Sequence, residues 1–177
     1  FDQGLDIDSA MRDTLPHDSV KVRKPGIDSP VKYEAKDSMT YDAATGFAYL
    51  FGESKVQYQG MELNAAKMSM NIDSSMVYAD AHRDTTGTLS GKPLYKQGSE
   101  QYESESMAFN FKTKKGFISN VSTTQGNGFL TSREGKRADD GTLYLQHATY
   151  TTCDAEHPHF GLKLSRAKVI PGKESFF

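Results

Sequence analysis

The chain has 177 residues, enough for one domain with a substantial core. Its 21 Lys and Arg against 23 Asp and Glu give a formal net charge of -2, so the chain as a whole has no electrostatic attraction to nucleic acid or to an anionic surface. No apolar run approaches the roughly 18 residues of a membrane-spanning helix. The chain opens on Phe1-Asp2-Gln3 with no export segment, so we expect a removed segment or a fragment of a longer chain.

The composition favours an all-β protein. Hydrophobic residues make up 36% of the chain and the mean hydropathy is -0.63, values typical of sheets with one wet face. The fifteen glycines and the many Tyr, Phe, Val and Thr residues point the same way, and no convincing helix of ten residues is present.

Two parts of the chain differ in character. Residues 1–30 contain Pro16, Pro25 and Pro30, mix acids with bases and show no sustained alternation, so we predict an N-terminal tail or lead-in segment. Strand and turn patterns alternate over residues 31–177, which we predict to be one β-domain. About ten to thirteen short strands in this length indicate a sandwich, a jellyroll or a barrel. The charged residues 133–141 are predicted to form a loop.

A repeated unit organises the predicted domain. In residues 102–118 the first apolar residues, Tyr102 and Met107, are widely spaced, and apolar residues then occupy every second position up to Phe111. A charged turn follows, and the pattern predicts a strand, a corner and a hairpin. The unit recurs near residues 33–41, 63–70 and 143–150. The matching alternating pairs are Met39/Tyr41, Met68/Met70, Met107/Phe109 and Ala148/Tyr150, usually followed by Asp42, Asn71 or Asn110. The unequal spacing of the copies favours stacked hairpins with variable loops over a tight solenoid.

Parity within the repeat predicts irregular backbone. In three copies, an odd number of positions separates the preceding repeat residue from the first member of the pair. These steps are Ala65 to Met68, Ser104 to Met107 and Leu145 to Ala148. An odd step reverses the face of a strand unless a bulge absorbs it, so we predict a bulge or corner in each of these copies. The first copy keeps parity from Ala35 to Met39 and is predicted to lack one.

No pattern of the chain predicts catalysis. A Gly-x-Ser-x-Gly elbow is absent, and Gly91-Lys92-Pro93 lacks the second glycine and the hydroxyl residue of a phosphate loop. Asp139-Asp140-Gly141 is predicted to be a hairpin turn, since the downstream Glu of a calcium loop is missing. We therefore expect a protein that is not an enzyme.

Two clusters leave alternatives open. Cys153, His157 and His159 carry zinc-type donors, but a structural site normally needs a fourth ligand and the spacing matches no common finger, so we predict no metal and no cofactor. The basic residues are predicted to lie on solvated faces or to meet phosphates: Lys112, Lys114, Lys115, Lys163, Arg166 and Lys168.

The methionines are the most informative apolar residues. Six of the seven fall in or beside the repeats, where Val and Ile would be expected: Met39, Met61, Met68, Met70, Met76 and Met107. Because thioether side chains adapt their packing, a Met-rich interior suits a variable cargo such as acyl chains. A plain hydrophobic core is the alternative.

The order of motifs is distinctive from residue 48 onward. It comprises Ala48-Tyr49-Leu50-Phe51-Gly52, Val56-x-Tyr58, Leu63-x-Ala65, Leu89-x-Gly91-Lys92-Pro93, Phe109-Asn110-Phe111-Lys112-Thr113-Lys114-Lys115-Gly116, Thr124-Gln125-Gly126-x-Gly128, Tyr150-Thr151-Thr152-Cys153-Asp154, His157-Pro158-His159-Phe160 and Lys168-Val169-Ile170-Pro171-Gly172. From about Val31 to Gly172 the chain resembles the OstA-like family. The Tyr-Thr-Thr-Cys-Asp and Pro-His-Phe motifs resemble the periplasmic N-terminal domains of lipopolysaccharide-assembly proteins of the LptD type, and the repeated unit alone also fits soluble LptA-like bridge proteins.

The resemblance implies a two-sheet antiparallel β-jellyroll, open like a V, that binds the acyl chains of lipopolysaccharide between its sheets. It implies a place at the periplasmic face of the outer membrane, with an LptA-like bridge protein adding by edge strands. The further partners that it implies are an outer-membrane barrel in the rest of the same chain and the LptE-like plug of that barrel.

The implied lining residues are the inward members of the alternating sets. They are Met39, Tyr41, Val56, Tyr58, Met68, Met70, Met107, Phe109, Phe117 and Leu130. Cys153 matches a cysteine that pairs with the barrel portion in the family. Well-known members carry a second cysteine near the N-terminus and residues 1–30 have none, so the pairing stays open, with a buried thiol as the alternative.

Overall fold

The computed structural model describes residues 29–155, 158–170 and 175–176, so nearly all of the predicted tail and His157 lie outside the described residues. The described residues form fifteen strands and no helix, and the predicted all-β class is confirmed. The strands are β1 (Lys32–Glu34), β2 (Ser38–Asp42), β3 (Phe47–Tyr58), β4 (Met61–Asn71), β5 (Met76–Asp80), β6 (His82–Arg83), β7 (Leu89–Ser90), β8 (Leu94–Gln97), β9 (Glu100–Glu103), β10 (Ser106–Asn110), β11 (Gly116–Gln125), β12 (Gly128–Arg137), β13 (Leu143–Thr151), β14 (Leu162–Val169) and β15 (Ser175–Phe176).

Six long strands each belong to two sheets because they bend in the middle. Sheet I is ordered β2-β3-β4-β5-β10-β11-β12-β13-β14-β15, and uses residues 47–51, 67–71, 116–119, 134–137, 143–146 and 166–169 of the bent strands. Sheet II is ordered β1-β3-β4-β8-β9-β11-β12-β13-β14 and uses the other halves. All pairings are antiparallel. Strands β6 and β7 form a separate two-stranded ribbon.

The bends are short unpaired stretches in the ladders, two residues in β3 and one residue in each of the other five bent strands, and they run in a line that we call the crease. Between β11, β12, β13 and β14 the skipped positions are Asn120, Arg133, His147 and Ser165. Asn120 and His147 have positive φ angles of 49° and 52°. Because each skip reverses the alternation, Leu145 and Ala148 both face inward and are buried.

The predicted irregularities of the second and third copies are also present at the crease. The ladder of β3 and β4 shifts between Phe51 and Ser54, and the skipped Ala66 donates its backbone N–H to Gly91 O at 2.7 Å. In the third copy Ser104 N donates to Pro93 O, and β9 ends just before β10 begins. The predicted bulge or corner is confirmed in all three copies.

The first copy was predicted to lack a corner, and this prediction is wrong. Strand β1 pairs with β3 in sheet II, whereas β2 pairs with β3 in sheet I. Between them Lys36 N and Asp37 N bond to Gly52 O and Phe51 O. A Cβ at Gly52 would lie 2.1 Å from Asp37 Oδ2, and its φ of +75° suits glycine. The even spacing from Ala35 to Met39 does not predict a shared face here, because residues 35–37 lie outside both strands and the alternation of faces holds only within a strand.

The polar residue after each alternating pair caps the turn that follows. Asp42 Oδ1 accepts from Ala44 N at 3.0 Å, and Asn71 Oδ1 accepts from Ser74 N at 2.8 Å. Asn110 Oδ1 accepts from two backbone amides of the next turn. This turn chemistry explains why the repeated unit carries Asp or Asn at that position. In the fourth copy Thr151 has the matching role, because its hydroxyl accepts from Cys153 N.

The core lies between the two sheets and is built from their inward side chains. The largest fully buried apolar side chains are Tyr95, Phe111, Leu50, Leu63, Met68, Met70, Leu130, Leu145, Val56, Val77 and Val121. Burying a side chain of this size contributes roughly 1.5–3 kcal/mol, so this layer is the main source of stability.

Within the described residues, no helix is long and apolar enough to cross a membrane.

Part of the predicted loop at residues 133–141 is strand instead. Strand β12 continues to Arg137, and the hairpin turn covers only residues 138–142, where Gly141 N donates to Ala138 O. The strand was not predicted because its residues are mostly charged and show no alternation of apolar and polar types. In the structure Glu134 and Lys136 face solvent, while Gly135 and Arg137 face the interior. The predicted hairpin turn at Asp139-Asp140-Gly141 is confirmed.

Candidate functional site: the space between the sheets

Seven of the ten side chains predicted to line a lipid slot face the interior and are buried. They are Val56, Tyr58, Met68, Met70, Met107, Phe109 and Leu130. Their contact with lipid stays a prediction. Their burial means that much of the predicted slot is filled by the protein's own side chains.

Met39 and Tyr41 lie on the inward side of sheet I but are exposed. Strand β2 is an edge strand, and its register pairs Met39 with Leu50 and Tyr41 with Ala48. Directly paired residues share a face of the sheet, and both partners are buried inward. At this edge Met39 stays 49% and Tyr41 59% exposed, and the residues of β1, the matching edge strand of sheet II, are exposed as well. Met39 and Tyr41 form an apolar margin at the β2 edge.

Phe117 lies on the outward face, contrary to the prediction. It is 65% exposed, whereas the next residue, Ile118, is buried inward. The turn at residues 111–115 separates Phe117 from Phe109, and a turn does not carry strand parity across. Phe117 therefore does not line the interior.

Aromatic rings close the space between the sheets on the side of β3, β4, β8 and β10. Tyr58 of sheet II contacts Phe111 at the tip of sheet I, with ring centroids 5.2 Å apart in an edge arrangement. Tyr95 of sheet II lies 5.8 Å from Phe109 of sheet I. Such ring pairs are favourable beyond their buried area, so they hold the sheet tips together. We call this region, with the methionines behind it, the closed part.

Arg137 fastens the tips of the two sheets at the border of the closed part, and sequence reasoning missed it. From sheet I, its Nη2 donates to Gln97 Oε1 at 3.1 Å and lies 3.4 Å from Glu100 Oε2, both on the β8–β9 hairpin of sheet II. Its Nη1 donates to Lys114 O at 2.8 Å and to Ala138 O at 3.2 Å. The residue is 4% exposed, so these bonds are shielded from water.

The same guanidinium also packs on aromatic rings of both sheets. Its centre lies 5.3 Å from the Tyr95 ring centroid and 5.8 Å from that of Phe109. Tyr95 completes the link, since its hydroxyl donates to Gln97 Oε1 at 2.6 Å and burial raises its pKa to about 12. Arg137 has no signal in the sequence, because a lone charged residue in a charged segment is normally solvated.

Glu100 is the carboxylate partner of Arg137. Burial raises the pKa of Glu100, and the neighbouring Arg137 charge partly offsets that effect. The raised pKa means that the folded protein favours protonated Glu100 more than the unfolded chain does. The contact of Glu100 with Arg137 therefore compensates a burial cost.

A cavity of about 600 Å³ borders the closed part on the side of β11–β14. Leu143, Val169 and Ile170 line it from sheet I, and inward Tyr102 and Thr123 line it from sheet II. Outward residues of β9 and β11 also border it, because these strands share only two register pairs. The space therefore connects the interior to solvent, and its volume is within the usual range of ligand sites. We call this region the open part.

Cys153 lies at a second cavity, of about 630 Å³, on the outward side of sheet II. It is a free cysteine, and its Sγ is 3.7 Å from His159 Nδ1. Thr151 orders this segment by donating to Phe160 O at 2.7 Å. Within the described part of the chain, no group of three His, Cys, Asp or Glu side chains is placed to hold a metal ion.

Comparison with solved structures gives a likeness over most of the chain. The crystal structure of LptH from Pseudomonas aeruginosa, described as the LptA homologous periplasmic component of the conserved lipopolysaccharide transport device, matches with a TM-score of 0.56 and 11% sequence identity. The match covers 80% of this chain and 98% of LptH. The chain has the β-jellyroll fold of LptH. At this identity the likeness concerns the fold.

Comparisons of sequence add no relative. No family model matches the chain, and no curated protein matches it either.

Proposed function

We propose that this domain binds lipopolysaccharide without catalysis and carries its acyl chains between the two sheets during transport to the outer membrane. The observation that carries the proposal is the open part: a solvent-connected cavity that Leu143, Val169 and Ile170 line beside polar residues of β9 and β11. The jellyroll fold shared with LptH supports it.

Acyl chains enter through the open part in this account. Each buried methylene contributes roughly 0.8 kcal/mol, so even a short segment of chain between the sheets is held firmly. Deeper entry requires the sheet tips to separate at Arg137, since the rings and methionines beyond it fill the space. Transfer to a similar neighbouring cavity changes this energy little, which suits a conduit.

The finer assignment is an N-terminal domain of the LptD type at the periplasmic face of the outer membrane. It rests on the Tyr150-Thr151-Thr152-Cys153-Asp154 and Pro158-His159-Phe160 motifs. In this assignment an LptA-like bridge adds at a sheet edge, an outer-membrane barrel with its LptE-like plug follows in the chain, and Cys153 forms a disulfide with the barrel. A soluble LptA-like bridge fits the same fold equally, and in that case Cys153 remains a thiol.

The proposal is tested by the lipid that the full chain retains when purified from its native host. Thr123→Phe fills the open part without burying a charge, and Thr131→Phe adds the same ring to the outward face of the neighbouring strand. We expect mass spectrometry to find lipopolysaccharide with the native chain and with Thr131→Phe, and little with Thr123→Phe. Circular dichroism must show that Thr123→Phe is folded, because the change also removes the bond from Thr123 Oγ1 to Gln101 O. Equal lipid in both variants, or none in the native chain, contradicts the proposal.

The tight packing of the closed part favours a second candidate function. A jellyroll whose interior is only a core binds partners through its sheet edges and carries no lipid. Replacing Met107 with Asp would then impair folding and every binding activity together, because Met107 is 3% exposed.

A further inference from the structure

A row of alternating aromatic and lysine side chains crosses the outward face of sheet I. The register pairs Phe117 of β11 with Lys136 of β12, Lys136 with Tyr144 of β13, and Tyr144 with Lys168 of β14. Directly paired residues share a face, and these four are turned away from the interior. We call this set the aromatic–lysine row.

The row exposes two large rings that the core does not use. Phe117 is 65% and Tyr144 46% exposed, and both lysines are exposed as well. Lys136 Nζ lies 5.6 Å from the Phe117 ring centroid, and Lys168 Nζ lies 5.7 Å from that of Tyr144. Each ammonium thus rests over a ring, an arrangement that keeps the aliphatic stems along the aromatic surface and the charges at its margin.

The charge around the row is positive although the chain as a whole is negative. Lys112, Lys114 and Lys115 precede Phe117 in the adjoining turn, and Arg166 lies two residues from Lys168 on the same face. None of these basic residues, nor Lys136 or Lys168, forms an ion pair within 4.0 Å among the described residues.

The acids of this region are fewer. They are Glu134 on the face and Asp139 and Asp140 in the β12–β13 turn. Asp140 is engaged by Thr142, and Lys168 contributes weakly to lowering its pKa. Among the described residues, six basic groups against three acids leave an excess of positive charge at the row.

The other end of the same face lacks this chemistry and provides an internal comparison. Tyr78 on β5 is 40% exposed and lies in the same register line as Phe117, with Ala108 between them, but its neighbours Ser69 and Ala108 carry no charge. Lys67 lies over the Phe51 ring, but its register partner is Asp80. Within the described part of this face, exposed rings therefore coincide with unopposed lysines only at the β11–β14 end.

We propose that the aromatic–lysine row docks the domain on a bilayer that contains anionic lipids. Aromatic rings favour the boundary between headgroups and acyl chains, and lysines beside them attract anionic headgroups. Sheet I then lies with its outward face on the lipid surface, and the open part faces away from it. This surface is separate from the interior cavity, so the inference does not depend on the proposed function.

Co-sedimentation of the full chain with vesicles tests the docking surface. The vesicles contain phosphatidylethanolamine and phosphatidylglycerol without lipopolysaccharide, so the interior cargo plays no part. We expect binding to these vesicles that weakens with salt, and little binding to phosphatidylcholine vesicles. Lys136→Gln with Lys168→Gln should weaken binding about 25-fold, at about fivefold for each lysine.

Matched variants separate the row from the rest of the face. Phe117→Ser with Tyr144→Ser should also weaken vesicle binding, whereas Phe51→Ser with Lys67→Gln, at the ring–lysine pair on β3 and β4, should not, and all of these outward positions should leave the melting temperature nearly unchanged. Vesicle binding that is independent of anionic lipid, or equal in the row and control variants, overturns the proposal. Binding to soluble dextran sulfate with none to vesicles would assign the row to an anionic polymer and overturn it too.

Discussion

The closed and open parts of the interior are built from the same two sheets but from side chains of different size. In the closed part, Tyr58 meets Phe111 and Tyr95 meets Phe109 across the sheets. In the open part, Thr123 of sheet II and Leu143 and Val169 of sheet I line the cavity, and no ring pair between the two sheets is present there among the described residues. The space that the rings fill in the closed part is therefore left as a cavity in the open part. Access to the interior is therefore set by side-chain size at the sheet tips, and Arg137 marks the boundary.

Four of the methionines are on the closed side of that boundary. Met61, Met68, Met70 and Met107 are all 3% exposed or less, so in this state they are core residues. Their adaptability bears on function only if the tips separate and the cargo replaces the ring contacts. The open part is thus accessible to a ligand in this state, whereas the closed part becomes accessible only when the sheet tips separate.

Replacing Phe111 with Ala should have the largest effect on the closed part. The ring is 1% exposed and contacts Tyr58 and Phe109, so its removal leaves a cavity at the sheet tips. Loss of such a buried ring costs about 3–5 kcal/mol of unfolding free energy. Urea denaturation measures the loss. If the tips were held only by Arg137, the loss would stay below about 1.5 kcal/mol, within the range of a tolerated core change.

Replacing Arg137 with Leu should rank next. The change removes hydrogen bonds to Gln97 Oε1 and Lys114 O and leaves Glu100 without its cationic partner, which costs about 3 kcal/mol at pH 7. Because burial and the Asp140 charge then act without the opposing Arg137 charge, the pKa of Glu100 should rise further, and NMR titration measures it. A raised folded-state pKa adds stability at low pH that is lost as pH rises through it, so the variant should recover part of its deficit in acid.

Replacing Glu100 with Gln is the matched control for the Arg137 variant. The amide keeps the shape of the side chain and removes the burial cost of its charge, so we expect a change below about 1 kcal/mol. A loss equal to that of Arg137→Leu would assign the effect to the ion pair alone, against the role given to the rings and backbone carbonyls.

Replacing Glu62 with Gln should give the smallest effect, on the outward side of the closed part. Hydrogen bonds from Asn64, Lys55 and Gln57 lower the pKa of Glu62 to about 2. A lowered folded-state pKa gives stability that is present above the usual value of 4.5 and is lost as pH falls toward 2. Because the side chain is 29% exposed, solvent screening limits the difference to about 0.5–1 kcal/mol at pH 7.

The pH dependence identifies the source of that difference. Denaturation of the native chain and Glu62→Gln at pH 7 and at pH 2.5 should give a gap that narrows in acid. A gap that is the same at both pH values would mean that the carboxylate charge is not what stabilises this hairpin.

The sequence predicted the parts of the fold that depend on local pattern. The odd steps from Ala65 to Met68 and from Leu145 to Ala148 located the crease, because alternation of faces is a property of neighbouring residues. The turn after Asn110 was equally visible in its residue types. Prediction failed where a turn interrupts the alternation, as at Phe117, and where residues leave the strand, as at Ala35.

The site was less predictable than the fold. The inward position of Met68 or Leu130 follows from strand pattern, but whether the space beside it is filled depends on the opposite sheet. The role of Arg137 could not be predicted from the sequence, because its partners Gln97 and Glu100 are 40 and 37 residues away in the chain and only folding brings them together. The cavity likewise exists only as a distance between two sheets.

Photo-crosslinking in the native host tests most directly whether acyl chains enter at the open part. A photoreactive side chain is placed at Leu143 in the open part, at Met107 in the closed part, or at Thr131 on the outward face of sheet II. The account predicts a lipopolysaccharide adduct from position 143, a weaker one or none from 107, and none from 131. Adducts from position 131 without any from 143, or no adduct at either inward position, would contradict it.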